Sequence, residues 1–190
     1  MNKRPIVGVM GSGADAYEAY AEPLGRLIAA SGYNLLTGGG TGTMEAVSRS
    51  FTAQPHEGQC MGIIPTALNE AGIFAPLSGY PNSYVEVPIY TPLPNFKGED
   101  PNQVSRNHVN IMTCHALVFL CGSKGTLNEY DLATRYNKPR ICFGHPEDMK
   151  VFPAEARKTD NIDDVADFIR EALHRQFLPP RGFAPQGTQP

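Results

Sequence analysis

The sequence contains no tryptophan, and none of its cysteines lie close together in the chain. The four cysteines are Cys60, Cys114, Cys121 and Cys142. No C-x-x-C pair occurs among them, and this spacing argues against both a disulfide framework and a zinc site. We therefore predict reduced thiols in a cytoplasmic protein with no metal site and no bound cofactor of its own.

Long hydrophobic runs and a strong charge bias are also missing. The first apolar run, Ile6 to Met10, is too short for a signal peptide, and no segment approaches transmembrane length. The net charge is −3 and only 18% of residues are charged, so the chain lacks the basic excess typical of nucleic-acid binders. We therefore expect neither a membrane nor a nucleic-acid partner.

The 190 residues alternate between short apolar runs and segments with helical spacing. The runs "PIVGVM" and "ALVFL" are typical of buried strands, and helical patterns follow them. Strands that alternate with helices predict right-handed βαβ units and a mostly parallel sheet. We predict an α/β protein with one domain over residues 1–175 and a flexible tail over residues 176–190.

One stretch interrupts this alternation. Residues 65–100 hold six prolines and few helical signals, and the strand "QCMGII" is expected to stop at Pro65. The run "VEVPIY" is a weak strand candidate because it contains Pro88. The stretch is predicted to be a long insertion that covers the functional site, forms a subunit contact or is simply an ordered surface loop.

Three predicted strands end in glycine-rich loops that lead into helices. The loops read GSG at 11–13, TGGGTGT at 37–43 and CGSKGT at 121–126. In an open parallel sheet such loops lie at one edge, where ligands bind. Their backbone N–H groups and the helix N-termini behind them suit a phosphate and the nucleotide attached to it.

Two common nucleotide-binding motifs are absent. The segment "GVMGSGAD" lacks the full G-x-G-x-x-G pattern, and the second strand ends in Thr37 where nicotinamide enzymes need an acid. No P-loop motif follows any strand, and Lys124 precedes its glycine and is misplaced for that role. The sequence therefore favours neither a nicotinamide dehydrogenase nor a P-loop ATPase.

The second and third glycine loops share a Gly-Thr pair followed by an acid. In the third loop, Thr126 and Glu129 have the spacing of a capping box, so we predict that Thr126 caps the helix. Glu45 and Glu129 are both expected near the pocket. For each, a plain preference of acids for helix N-termini is the alternative explanation. His108 is interpreted as a surface or packing residue, and Cys121 as a passive thiol.

The segments "LLTGGGTGTMEAVSR", "SRNHVNI" and "FLCGSKGTLNEYDLA" resemble the LONELY GUY (LOG) superfamily and its molybdenum cofactor carrier relatives, some of which carry a "lysine decarboxylase" label. The similarity covers about residues 5–143. The family signature Pro-Gly-Gly-x-Gly-Thr-x-x-Glu aligns with residues 121–129, with Cys121 in place of proline and Ser123 in place of glycine. The family's essential arginine falls on Arg106.

This resemblance implies a Rossmann-like three-layer sandwich that forms a homo-oligomer, usually a homodimer. It implies Arg106 and Glu129 as catalytic residues of a phosphoribohydrolase, which cleaves a nucleoside 5′-monophosphate into free base and ribose 5-phosphate. The loops and the resemblance together give a predicted phosphate- and nucleotide-binding set. Its members are Gly11, Ser12, Gly39, Gly40, Thr41, Gly42, Thr43, Gly122, Ser123, Lys124, Gly125 and Thr126.

The alternative implied function is a molybdenum cofactor carrier that binds a phosphorylated pterin without chemistry. LOG enzymes usually carry a Met-His-x-Arg-Lys run at the arginine, whereas this chain has Arg106 followed by Asn107, which is closer to the carriers. Asn128 also replaces the first acid of the LOG Thr-x-Glu-Glu run. The sequence leaves both functions open, together with a ligand sensor that only binds.

Overall fold

The computed structural model describes residues 4–95 and 103–177, which form one eight-stranded sheet flanked by helices. The strands are β1 Ile6–Met10, β2 Asn34–Thr37, β3 Cys60–Leu68, β4 Phe74–Pro76, β5 Val87–Thr91, β6 Ala116–Phe119, β7 Arg140–Phe143 and β8 Lys158–Thr159. The helices are α1 Glu18–Ala30, α2 Thr43–Thr52, α3 Arg106–Thr113, α4 Lys124–Arg135 and α5 Ile162–Phe177. None of these described helices is long and apolar enough to cross a membrane.

The strand order is β4-β3-β2-β1-β6-β7-β8, with β5 paired to β3. The pairing of β3 with β4 is antiparallel and the other pairings are parallel. Successive strand residues point to opposite faces, so the sheet builds two cores. Val7 and Val9 pack with α1, α2 and α5, whereas Leu117 and Phe119 pack with α3 and α4. The predicted α/β, three-layer fold with a mostly parallel sheet is confirmed.

The site is positioned by a reversal in the middle of this sheet. β1 leads into α1 on one face, whereas its neighbour β6 leads into α4 on the other face. The loops that follow these two strands therefore diverge and leave a crevice at their carboxyl ends.

The proline-rich stretch is more regular than its sequence indicates. β3 continues to Leu68, so the prediction that Pro65 ends this strand is wrong. The pairing with β2 reaches only Gly62, and the missing N–H of Pro65 therefore interrupts no ladder on that side. The weak strand candidate "VEVPIY" contributes to β5, where Pro88 is tolerated at the sheet edge. Residues 96–100, and residues 178–190 of the predicted tail, lie outside the described residues.

The predicted capping box between Thr126 and Glu129 is also wrong. Helix α4 begins at Lys124 with Ser123 as its N-cap, so Thr126 already lies inside the first turn. The Glu129 carboxyl bonds to a side chain of α3 and does not reach back to the helix start. A capping box does form at the start of α3, where the Nδ1 of His108 accepts a hydrogen bond from the backbone N–H of the N-cap.

Candidate functional site

A cavity of about 170 Å³ lies in the crevice between β1 and β6. Six predicted site residues line it, namely Gly11, Arg106, Ser123, Gly125, Thr126 and Glu129. They come from the loop after β1, from α3 and from the start of α4, which are far apart in sequence. Pockets for complete small ligands usually hold roughly 300–1,000 Å³, so this cavity suits one end of a larger ligand.

A larger cleft of about 710 Å³ lies elsewhere, beside the start of β7, where Lys138, Arg140 and Phe168 line it. None of the predicted site residues contributes to it. Size alone favours this cleft, but the smaller cavity combines a buried acid, a buried guanidinium and a helix N-terminus. A guanidinium and a helix N-terminus bind phosphate, and a buried acid is typical of a functional site, so we assign the candidate site to the smaller cavity.

Residues 39–43 of the second glycine loop hold the first loop in place. The Thr41 hydroxyl donates to the carbonyl oxygen of Gly13 at 2.7 Å, and the Thr43 hydroxyl donates to that of Asp15 at 3.0 Å. The Thr43 N–H donates to the carbonyl oxygen of Ser12 at 2.9 Å. The predicted residues that do not line the cavity are Ser12, Gly39, Gly40, Thr41, Gly42, Thr43, Gly122 and Lys124.

Three further candidates stand beside the cavity. The Ser12 hydroxyl accepts hydrogen bonds from two backbone N–H groups of its own loop. Glu45 and Cys121 do not line the cavity, although Met44, the residue before Glu45, does. The Cys121 side chain hydrogen-bonds to Tyr17, and this contact together with burial raises the pKa of Tyr17 to about 12.

Arg106 is the buried cation of the site, with 8% of its surface exposed. Its Nη1 donates to the carbonyl oxygens of Gly38 at 2.6 Å and of Ile63 at 2.9 Å. The Tyr80 ring covers the guanidinium at 5.4 Å, in cation–π geometry. The Nε of Arg106 is buried without a hydrogen-bond partner among the described residues. Arg106 also lines the cavity, and a guanidinium is a cation suited to binding an anionic ligand.

Glu129 is the buried acid of the site and lies one turn after Thr126 on α4. Its Oε1 accepts a hydrogen bond of 2.8 Å from the Nδ2 of Asn110. Burial raises the pKa of Glu129 to about 6, against the opposing effects of the Asn110 hydrogen bond and the Arg106 charge. Such a carboxyl is mainly ionised at pH 7 and is still suited to proton transfer near neutrality. Perturbed carboxyls in clefts are typical of functional sites.

The N-terminus of α4 adds backbone donors to the same wall. Its N-cap residue, Ser123, makes no side-chain capping bond, and Ser123, Gly125 and Thr126 all line the cavity. The first N–H groups of a helix have no intrahelical partner and favour anions. Gly122 lies so close to the Thr126 side chain that any larger residue there displaces the loop.

The predicted set lacks seven residues that line the cavity, namely Val9, Met10, Gly13, Gly38, Met44, Tyr80 and Asn107. Tyr80 belongs to the proline-rich stretch and reaches the site because Asn82 fastens that stretch to loop 37–43 by two hydrogen bonds of 2.8 Å. No periodicity in the sequence marks this contact. Asn107 follows Arg106 directly and was detectable from that position. Among the described residues, no three His, Cys, Asp or Glu side chains are placed to hold a metal ion.

The fold and the site place the chain among the Rossmann-like α/β proteins, with a cavity at the carboxyl ends of its parallel strands. The model of the SLOG cluster4 family matches residues 4–169. The chain therefore belongs to the SLOG cluster4 family, and its predicted place in the LOG and molybdenum cofactor carrier superfamily is confirmed. A comparison with curated proteins found no significant match.

Solved structures share the fold over most of the chain. The molybdenum cofactor carrier protein of Chlamydomonas reinhardtii is 24% identical with a TM-score of 0.67, over 90% of this chain and 99% of that protein. The molybdenum cofactor binding protein of the phototrophic bacterium Rippkaea orientalis is 27% identical with a TM-score of 0.66, over 91% and 99% of the two chains. By their names, both proteins bind the molybdenum cofactor.

A third similar structure is DNA processing protein A of Helicobacter pylori, which is described as binding single-stranded DNA. It is 16% identical with a TM-score of 0.62, over 90% of this chain and 82% of that protein. Identity at this level shows a shared fold alone. The absence of a nucleic-acid partner, like the homo-oligomer, stays a prediction from the sequence.

Proposed function

We propose that the cavity binds the phosphate end of a nucleoside 5′-monophosphate and that the protein hydrolyses the N-glycosidic bond of this ligand. The observation that carries the proposal is the buried Glu129 carboxyl, which shares one small cavity with Arg106 and the N-terminus of α4. A phosphate has two matching groups there, the guanidinium of Arg106 and the first N–H groups of α4.

The chemistry requires a negative charge close to the sugar. N-glycosidic cleavage passes through an oxocarbenium-like state, in which positive charge develops at the anomeric carbon. With a pKa near 6, Glu129 is mainly ionised at pH 7 and can stabilise that charge or orient the attacking water. The water adds its hydroxyl to the ribose and its second proton to the departing base, so the products are ribose 5-phosphate and free base.

The size of the cavity limits how the ligand is placed. About 170 Å³ suits the phosphorylated end of the ligand, so we place the base toward the opening. Tyr80 also lines the cavity, and it offers an aromatic surface for a flat ring.

A second candidate function is non-catalytic transport of a phosphorylated pterin, the molybdenum cofactor. Two observations favour it. The similar structure from Chlamydomonas reinhardtii is named a molybdenum cofactor carrier and that from Rippkaea orientalis a molybdenum cofactor binding protein, and both are covered over 99% of their length. In addition, Asn107 follows Arg106, and its Nδ2 donates to the Asn128 side chain at 2.9 Å, so a pair of amides takes the positions of charged residues in LOG enzymes.

The test is a turnover assay with a panel of nucleoside 5′-monophosphates, in which free base and ribose 5-phosphate are separated by chromatography. Glu129→Gln keeps the shape of the side chain and removes its charge, so we expect at least a 100-fold loss of turnover. Glu45→Gln removes one negative charge outside the cavity and is the matched control, for which we expect wild-type turnover. If folded wild-type protein releases no base from any nucleotide, the hydrolase is excluded for that panel, and molybdopterin binding becomes the next measurement.

A further inference from the structure

Asn110 is a buried side chain for which neither the fold nor the proposed phosphate site has a use. It lies on α3, one turn after Arg106, and is fully buried at 0% exposure. Asparagine is a poor residue for a helix interior, and burying an amide is costly unless both of its ends are hydrogen-bonded. Its presence in a helix of eight residues therefore calls for a specific reason.

The hydrogen bonds of the amide indicate that reason. The Nδ2 of Asn110 donates to the Oε1 of Glu129 at 2.8 Å. The other end, Oδ1, is buried without a hydrogen-bond partner among the described residues. An amide with one end unpaired contributes little to stability, since the desolvated oxygen offsets the bond that is made. What the amide does provide is one donor, aimed at the acid of the cavity.

We propose that Asn110 is a positioning residue that orients the Glu129 carboxylate and favours its ionised form. An Asn side chain donates through its NH2 group, and a bond to a charged acceptor is about twice as strong as one between neutral groups. The bond occupies Oε1 and leaves Oε2 without a bond from Asn110. The orientation is shown by the geometry alone, and only its kinetic consequence rests on the proposed hydrolase.

Two other titratable groups face Glu129 in the packed interior. Arg106, on the same face of α3, also favours the ionised carboxylate. Cys114, at the end of α3, is a buried thiol whose pKa is raised chiefly by burial, so it adds no charge near neutral pH. Unlike these two groups, Asn110 is uncharged at every pH and contacts the Glu129 carboxylate through a hydrogen bond of 2.8 Å.

The experiment measures the titration of Glu129 directly, by NMR of protein labelled with ¹³C at the glutamate side-chain carboxyl. The Glu129 signal is assigned as the one missing from Glu129→Gln. In Asn110→Leu, which preserves volume but removes the donor, we expect the Glu129 pKa to rise by about one unit or more. Asn110→Ser is a smaller variant that cannot reach Oε1, and the same direction is expected.

The matched control is Thr113→Val, which removes a hydrogen bond between Thr113 and Val109 elsewhere on α3. It should leave the Glu129 titration unchanged. If Asn110→Leu does not fold, the serine variant is measured instead. An unchanged Glu129 pKa in either folded Asn110 variant overturns the proposal.

The kinetic readout separates this inference from the proposed function. If the wild type hydrolyses a nucleotide, the acidic limb of the pH profile for kcat should move to higher pH in Asn110→Leu, with little change in KM. If no nucleotide is hydrolysed, the NMR titration still supports or overturns the role of Asn110. A lower kcat with an unmoved pH profile counts against it, because a merely structural defect has that effect.

Discussion

The two Gly-Thr loops, at 37–43 and 121–126, are similar in sequence but differ in what they do. In the second-strand loop, the hydroxyls of Thr41 and Thr43 bond to carbonyl oxygens of the first glycine loop. In the segment 121–126, which runs into the first turn of α4, Thr126 lines the cavity together with Glu129. Residues 39–43 of the first of these loops are therefore scaffold, and only its Gly38 lines the cavity, whereas the other segment contributes Ser123, Gly125 and Thr126 to the wall of the site.

The spacing of the acid explains much of this difference. Glu45 follows Thr43 by two residues, whereas Glu129 follows Thr126 by three. Residues three apart share a helix face, and residues two apart point about 200° away from each other. Glu129 therefore enters the cavity with Thr126, while Glu45 lies away from buried Thr43. Two motifs that look equivalent can differ in function through one residue of spacing.

The largest expected effect in this comparison is on the free energy of unfolding, when one glycine of each loop is replaced by alanine. Gly42 has a φ of +66°, and a Cβ there would lie 2.5 Å from the carbonyl oxygen of Ser12. We expect Gly42→Ala to lower the free energy of unfolding by about 3 kcal/mol, from the left-handed backbone and the clash together. Chemical denaturation measures this loss.

Gly125 is the counterpart in the other loop. A Cβ there meets no atom within 4 Å, and the residue lies inside α4. Gly125→Ala should leave the unfolding free energy unchanged or raise it by up to about 1 kcal/mol, through helix propensity. A larger loss for Gly125→Ala than for Gly42→Ala would reverse the roles assigned to the two loops.

The next effect concerns the pH dependence of stability and the buried acid. Burial raises the pKa of Glu129 from 4.5 to about 6, so between these values the folded state binds more protons than the unfolded state. Stability from this group therefore falls as pH rises from 4.5 through 6. At roughly 1.4 kcal/mol per pKa unit, the difference between the folded and unfolded pKa values corresponds to a loss of about 2 kcal/mol in the free energy of unfolding.

Glu129→Gln removes this dependence. We compare the unfolding free energy of Glu129→Gln with that of the wild type at pH 4 and at pH 7.5. Relative to the wild type, the variant should gain about 2 kcal/mol of stability between the two pH values. Urea denaturation at both pH values measures this gain. Equal differences at the two pH values would mean that Glu129 is not held in a costly ionised state. Glu45→Gln controls for the loss of one negative charge.

The smallest effect concerns the hydroxyls that join the two glycine loops. Thr43 is fully buried, and Thr43→Val leaves the carbonyl oxygen of Asp15 without this partner, at a cost of about 1 kcal/mol. Thr41 is exposed, so Thr41→Val should cost about half as much or less. Thermal unfolding of the two variants ranks them. A greater loss of stability from Thr41→Val than from Thr43→Val would show that burial does not determine the strength of these two hydrogen bonds.

Local pattern was enough to predict most elements, because apolar periodicity reports which face of a strand or helix is buried. It failed where a distant partner decided the outcome. Strand β3 continues through Pro65 because its pairing with β2 ends at Gly62, so β2 does not need the N–H that proline lacks. Thr126 does not cap α4, because the helix already begins at Lys124 with Ser123 as its N-cap, while the Glu129 carboxyl bonds to Asn110 of α3. The strand pairing and the Glu129 contact both join segments that lie far apart in sequence.

Short-range sequence established the alternation of strands and helices, the glycine turns at the strand ends and the acid Glu129 after a Gly-Thr pair. These features depend on neighbours within one or two turns of chain. Arg106 became a candidate through the resemblance to the LOG superfamily. Folding was needed to choose which glycine loop faces the cavity, to bring Tyr80 over Arg106 and to set Asn110 against Glu129. Those choices depend on hydrogen bonds and burial between segments that only meet when the sheet forms, and burial is also what raises the pKa of the acid.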